Sequence, residues 1–172
     1  MKSGLIMLAL VGGIALYSCG GGSSNSSSES SSSDQPVSNA GSAPATMSNT
    51  PSVDVDAPSS SKGVGKFTDV KVSSTIDDKM AAKGEEVFQT SCTACHHATA
   101  EKLIGPGLKG VTKIRTPEWI MNMITNPEWM THQDPVAEAL FQQFNQTQMA
   151  NQGLSDEQAR EVLEYLRKND SQ

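Results

Sequence analysis

Aromatic residues are scarce in this chain of 172 residues, which holds two tryptophans, two tyrosines and four phenylalanines. So thin a supply of large apolar side chains predicts one small domain with a modest core. Basic residues are also in deficit, and the net charge of −6 argues against nucleic acid as a partner. No apolar run reaches the ~20 residues that a membrane-spanning helix needs.

The N-terminus has the pattern of an export signal. Lys2 is followed by an apolar stretch over residues 4–16, which suits a secretory signal peptide over residues 1–18. The following Leu16-Tyr17-Ser18-Cys19-Gly20 resembles the lipobox of bacterial lipoproteins, although Tyr17 is bulkier than usual. The resemblance implies that Cys19 is lipidated and anchors the chain on the periplasmic side of a membrane. An ordinary cleaved signal with a chance cysteine is the alternative.

Residues 19–65 are rich in serine, glycine and proline and contain no aromatic residue. Such a segment cannot bury enough apolar surface to offset its ordering entropy, so we predict a flexible linker. Random-coil scaling gives this tether a reach of roughly 40 Å. It could let the domain move between partners, or it could be a spacer only. The folded domain is then expected over residues 66–170.

The run Cys92-Thr93-Ala94-Cys95-His96 is the attachment sequence for a c-type haem. The two thiols can add to the vinyl groups of one porphyrin, and His96 can supply a proximal nitrogen to the iron. A redox dithiol or half of a zinc site are the alternatives. A zinc site would need two further ligands, and the only other cysteine is Cys19. The motif occurs once, so we predict one covalently bound haem c.

The sequence predicts helices around this motif. Apolar spacing favours a first helix over residues 77–90, which leads directly into Cys92. Three later helices should each begin at a capping residue that is followed by a proline. Proline is tolerated at the first helical position, because the backbone N–H that it lacks would have no partner there. Ser155 and Gln158 form a capping box for the last helix. The middle helices are expected at 117–125, 127–131 and 135–145, and the last helix buries Ala159, Val162, Leu163 and Leu166.

With this motif and these helices, residues 77–170 resemble a class I c-type cytochrome of the monohaem, lipoprotein type. Gly84 and Phe88 stand where that family carries a glycine and an aromatic residue before the haem motif, and Tyr165 stands where its last helix crosses that glycine. The segment 105–108, Gly-Pro-Gly-Leu, matches a family turn in which the carbonyl of Pro106 accepts a hydrogen bond from His96. The resemblance implies an all-α fold, a small helical domain wrapped around one haem.

A six-coordinate iron needs a second axial ligand, and Met149 is the strongest candidate. It lies in a polar loop before the last helix, where the resemblance places the axial methionine, although Ala150 replaces the usual proline. Met130 and His132 are the rivals. The remaining candidates, Met80, Met121, Met123 and His97, are less favourable because of their helical setting or their place beside the proximal ligand. The resemblance also suggests that Trp119 donates its indole N–H to a haem propionate.

The function expected from this resemblance is electron transfer without enzymatic activity. Redox partner proteins would be a quinol-oxidising complex as donor and a terminal oxidase or an anaerobic reductase as acceptor, with a lipid anchor on the membrane. A haem-based sensor or a small haem enzyme, in which a distal methionine is displaceable, is the alternative.

Overall fold

The computed structural model describes residues 52–172, and within that range the chain forms helices and no strand. The fold is all-α, as the sequence predicts, and it includes one short helix, α2, that the periodicity does not reveal. The predictions for the signal peptide, for Cys19 and for the linker up to residue 51 concern residues outside this range. No helix within it is both long and apolar enough to cross a membrane. The helices are α1 (Asp78–Ser91), α2 (Val111–Ile114), α3 (Pro117–Thr125), α4 (Pro127–Gln133), α5 (Pro135–Gln143) and α6 (Asp156–Asp170).

Side-chain caps start most of these helices where the sequence predicts them. Thr116 accepts a hydrogen bond from Trp119 N–H, and Ser155 forms both bonds of its capping box with Gln158. Asp134 caps α5 by accepting from two backbone N–H groups. Asn126 makes no such bond, because it also ends α3 and its φ of −148° and ψ of 59° lie outside the extended cap conformation.

The first and last helices cross at Gly84. A Cβ on that residue would lie 1.9 Å from the carbonyl oxygen of Glu161, so only glycine permits the approach. Beside the crossing, the rings of Phe88 and Tyr165 lie 5.1 Å apart at a tilt of 43°. The contact inferred from the family resemblance is therefore present, and it sets the direction in which α1 delivers the haem motif.

Residues 55–73, here called the strap, run over the helices without secondary structure of their own. Buried polar side chains hold this segment. Arg115 donates to the carbonyls of Val55 and Ala57, and the side-chain amide of Asn122 accepts from the N–H of Phe67 and donates to its carbonyl. The packed part of the chain thus begins before residue 66, the boundary that composition suggests. The strap is ordered by hydrogen bonds to its backbone together with the packing of Val64, Phe67 and Val70 against the core.

One buried carboxylate links α6 to the chain that precedes α1. Glu164 is 1% exposed and accepts hydrogen bonds from Arg160, Arg167 and the N–H of Asp77. Burial raises the pKa of Glu164, but these hydrogen bonds and the charge of Arg160 together outweigh it, so that the pKa lies below the ordinary value. The two arginines offset the free-energy cost of burying this charge.

Candidate haem-binding site

The last turn of α1 continues into the motif. Cys92 N–H donates to the Phe88 carbonyl at 2.9 Å, and the N–H groups of Cys95 and His96 both donate to the Cys92 carbonyl. This tight turn brings both thiols and the imidazole to the wall of one cavity. Burial, with a smaller contribution from Cys95, raises the pKa of the Cys92 thiol to about 11. A redox dithiol needs a lowered thiol pKa, so the environment does not favour that alternative.

The second turn, at residues 105–107, holds the imidazole of His96. The Nδ1–H of His96 donates to the Pro106 carbonyl at 2.8 Å, which leaves Nε2 for a metal ion. A Cβ on Gly105 would lie 2.5 Å from His96 Cε1, so the backbone touches the ring only because residue 105 is glycine. Burial lowers the pKa of His96, against the smaller opposing effect of the carbonyl, and so favours the neutral imidazole that ligates iron.

A cavity of about 420 Å³ opens in front of these groups. Cys92, Cys95, His96 and Met149 all line it, and most of the remaining lining side chains are apolar. A volume of this size is in the range of cofactor cavities. Two thiols, one free imidazole nitrogen and one thioether around an apolar space are the groups that a covalently attached, six-coordinate haem requires. The residues present therefore fit a haem.

The methionines divide clearly between cavity and core. Met149 and Met123 line the cavity. Met130 is fully buried elsewhere, and its Sδ accepts a hydrogen bond from Val64 N–H at 3.1 Å. The strap thus supplies the partner of Met130. His132 is exposed and does not line the cavity. Met123, which its helical setting makes a less favourable candidate from sequence, is the thioether that competes with Met149.

Trp119 lines the cavity with its ring, but its N–H has a partner within the protein. The indole Nε1–H donates to Asp134 Oδ1 at 2.9 Å, and Asp134 Oδ2 accepts from the Ser61 hydroxyl. In this structure the group that was expected to bind a propionate serves to join α3, α5 and the strap. The propionate contact of Trp119 stays a prediction.

Arg115 is a lining residue that no sequence pattern indicates. Its guanidinium lies 5.4 Å from the centre of the Trp119 ring, and the residue is 5% exposed. Burial lowers the pKa of Arg115, whereas nearby carboxylates, that of Asp134 foremost, oppose this shift. Arg115 lies outside a helix, directly before the Thr116 cap, so no apolar periodicity in the sequence indicates that it lines the cavity.

The zinc alternative gains no support from the described part of the chain. Nowhere in residues 52–172 do three or more histidine, cysteine or acidic side chains gather closely enough to hold a metal ion. This range of the chain therefore holds no cluster of protein ligands that would support a zinc site in place of a haem site.

Comparison with known proteins gives the family. The family model described as Cytochrome c matches residues 81–170. The chain belongs to the cytochrome c family. The cytochrome therefore binds one haem c covalently through Cys92 and Cys95, as the motif predicts, and the expected fold is confirmed. When bound, the haem supplies reversible one-electron chemistry at its iron.

Solved structures agree with this assignment. The cytochrome is 44% identical to cytochrome c from Rhodothermus marinus, over 62% of this chain and 90% of that one, with a TM-score of 0.60. An engineered cytochrome c from Rhodothermus marinus is 42% identical over 63% of this chain and 92% of that one, with a TM-score of 0.59. A third structure, an engineered form bound to a carbene intermediate, has the same identity and coverage and a TM-score of 0.58. No curated protein matches the chain.

Membership of this family makes the protein an electron-transfer haem protein that works with redox partner proteins. The family model leaves residues 52–80 unmatched, although the strap and the start of α1 pack against the haem-binding helices.

Proposed function

We propose that this cytochrome is a lipid-anchored monohaem electron carrier of a bacterial respiratory chain, with His96 and Met149 as the axial ligands of its iron. The observation that carries the proposal is that the imidazole of His96 and the thioether of Met149 line the same apolar cavity as the two attachment thiols. In the part of the chain that the structure describes, Met130 and His132 do not share that cavity.

Each of these residues has a distinct task. The Pro106 carbonyl fixes the tautomer and orientation of His96, which increases the basicity of the ligating nitrogen. A thioether opposite the imidazole raises the reduction potential relative to two nitrogen ligands, which suits a carrier that acts late in a respiratory chain. The apolar cavity wall excludes water and so limits the change in solvation when the charge of the iron changes.

The N-terminal sequence supports the location and the anchoring. The signal-like residues 1–18 and the lipobox at Cys19 favour export and lipid attachment, and haem attachment through thioethers is completed outside the cytoplasm. The tether would keep the domain within diffusing distance of membrane-bound partners.

The partners are proposed from chemistry and charge. A quinol-oxidising complex would donate the electron, and a terminal oxidase or an anaerobic reductase would accept it. The net charge of −6 favours docking to a basic surface on these proteins.

A second candidate function is a haem-based sensor or a small haem enzyme with a displaceable Met149. The observation that favours it is Ala150, which takes the place of the proline that usually stiffens this loop. An external ligand would then displace the thioether and reach the iron.

The purified, haem-loaded protein distinguishes the two candidates. A carrier titrates as a single reversible one-electron couple, and its ferrous form binds carbon monoxide slowly because Met149 occupies the sixth position. Rapid carbon monoxide binding by the wild-type protein would contradict the carrier and favour the second candidate.

A further inference from the structure

The loop that carries Met149 begins with a strained turn. Asn145 and Gln146 follow α5 with φ values of 56° and 57°, and both are residues other than glycine in the left-handed region. This conformation costs of order 1–3 kcal/mol for Gln146 and persists there only where the surroundings impose it. Asn145 adopts it more readily, because its short polar side chain tolerates the left-handed region. The turn is closed by backbone hydrogen bonds, from Gln146 N–H to Phe141 and from Thr147 N–H to Phe144.

Two side-chain hydrogen bonds then fasten the loop on either side of Met149. The hydroxyl of Thr131, a buried residue near the end of α4, lies 3.0 Å from Gln148 Oε1 and 2.9 Å from the Glu128 carbonyl oxygen, so its one proton is shared between two acceptors. The Asn151 Nδ2 donates to the carbonyl of Thr125, the last residue of α3, at 3.0 Å. The loop therefore has one attachment directly before the methionine and one two residues after it.

These attachments take the place of a stiff backbone. Ala150 follows the methionine without the restriction that proline would impose on φ. Asn151 also accepts a hydrogen bond from Gly153 N–H at 2.9 Å, which shapes the exit of the loop towards α6. The polar residues of the loop are otherwise exposed, and Thr147, Gln148 and Gln152 border the cavity.

We propose that Thr131, Gln148 and Asn151 are positioning residues that hold the Met149 loop closed against the strained turn at Asn145 and Gln146. The two hydrogen bonds set how often the thioether leaves the cavity, and so how firmly it ligates the iron. This inference rests on the proposed role of Met149 as axial ligand.

The test is the affinity of the ferric protein for added imidazole. Imidazole binds only where the thioether has left, so its apparent affinity reports the fraction of open loop. Asn151→Asp keeps the acceptor for Gly153 N–H but loses the donor to Thr125, and Thr131→Val keeps the shape of the side chain but loses its hydroxyl. Asn151→Asp should bind imidazole roughly five-fold more tightly, which is the effect of one lost hydrogen bond. Thr131→Val should also bind it more tightly, but by less, because the Thr131 hydroxyl divides its proton between Gln148 and Glu128.

A variant that relieves strain in this turn should change the imidazole affinity in the opposite direction. Asn adopts the left-handed region more readily than Gln. Gln146→Asn should therefore weaken imidazole binding, by roughly two- to three-fold on this scale. Glu157→Gln is the matched control, because Glu157 is exposed in the first turn of α6, directly after the loop, and does not line the cavity. That variant should bind imidazole as the wild type does.

Hydrogen exchange of the haem-loaded protein gives a second readout. The amide of Gly153 should exchange faster in Thr131→Val than in Glu157→Gln, at equal global stability. Imidazole affinities equal to wild type in both Asn151→Asp and Thr131→Val would overturn the positioning role. If instead the wild-type ferric protein lacks the thioether-to-iron charge-transfer band, the ligand assignment itself fails, which is a separate result.

Discussion

The crossing of α1 and α6 makes a sharp prediction for Gly84→Ala. The new methyl group would lie 1.9 Å from the Glu161 carbonyl oxygen and 2.4 Å from its carbon, and both atoms belong to backbone that cannot rotate away. Real Cβ contacts are essentially never under 3.0 Å, so the helices must separate by about 1 Å. The same separation would loosen the contact between Phe88 and Tyr165.

The magnitude follows from two opposing effects. Overpacking typically costs about 1–3 kcal/mol, and a backbone clash this close belongs at the upper end or beyond. Alanine in place of glycine inside a helix gains back about 1 kcal/mol. The net loss of about 2 kcal/mol corresponds to a fall in Tm of about 8–16 °C for a domain of this size.

Thermal unfolding of the haem-loaded protein, followed by far-ultraviolet circular dichroism, measures this loss. Glu86→Ala is the control, because Glu86 is exposed on the same helix. It should change Tm by no more than a few degrees, since exposed substitutions usually stay within about 0.5 kcal/mol. A Gly84→Ala protein as stable as wild type, or more stable, would refute the argument from close packing.

Three further predictions concern the haem turn, the buried charge and the anchor. Gly105→Ala should push the His96 ring from its place, because the new Cβ would lie 2.5 Å from Cε1, and the haem absorption spectrum should show loss of the native low-spin form; an unchanged spectrum would contradict this. Glu164→Gln should lower stability by about 3 kcal/mol at pH 7. Because the folded pKa of Glu164 is depressed, its contribution is present above the unfolded value and is lost as the pH falls below about 4.5, so urea midpoints should fall more steeply for wild type than for the variant; parallel pH profiles would count against it. Cys19→Ser should move the protein from the membrane to the soluble fraction, and unchanged fractionation would rule out the lipid anchor.

The sequence predicts the helices well where local chemistry determines them. The caps at Thr116, Asp134 and Ser155 fix three helix starts in the structure where they were expected. The apolar spacing of α6 likewise predicts its buried face. The haem motif is a local pattern too, and family comparison confirms it.

Features that depend on distant partners were beyond sequence reasoning. The first part of the strap, residues 55–65, has the composition of a linker. The strap is ordered by buried polar side chains such as Arg115 and Asn122, which lie far along the chain, and by the packing of Phe67 against the core. The helix α2 has four residues, too few to show a period. Its start is instead held by Asp170, which accepts from the N–H groups of Gly110 and Thr112.

The same limit applies to the ligands and to Trp119. Spacing could not show that Met123 lines the cavity while Met130 is enclosed by the strap. It also could not show that the Trp119 N–H meets Asp134, fifteen residues on. Each outcome depends on how α3, α4 and the strap pack together.

The central claim, an iron held between His96 and Met149, is tested most directly by the thioether-to-iron charge-transfer band of the ferric protein. Met149→Leu and Met123→Leu are a matched pair, because both thioethers line the cavity and leucine preserves most of the volume. The account predicts that the band is lost in Met149→Leu and kept in Met123→Leu. A band that survives in Met149→Leu would contradict it.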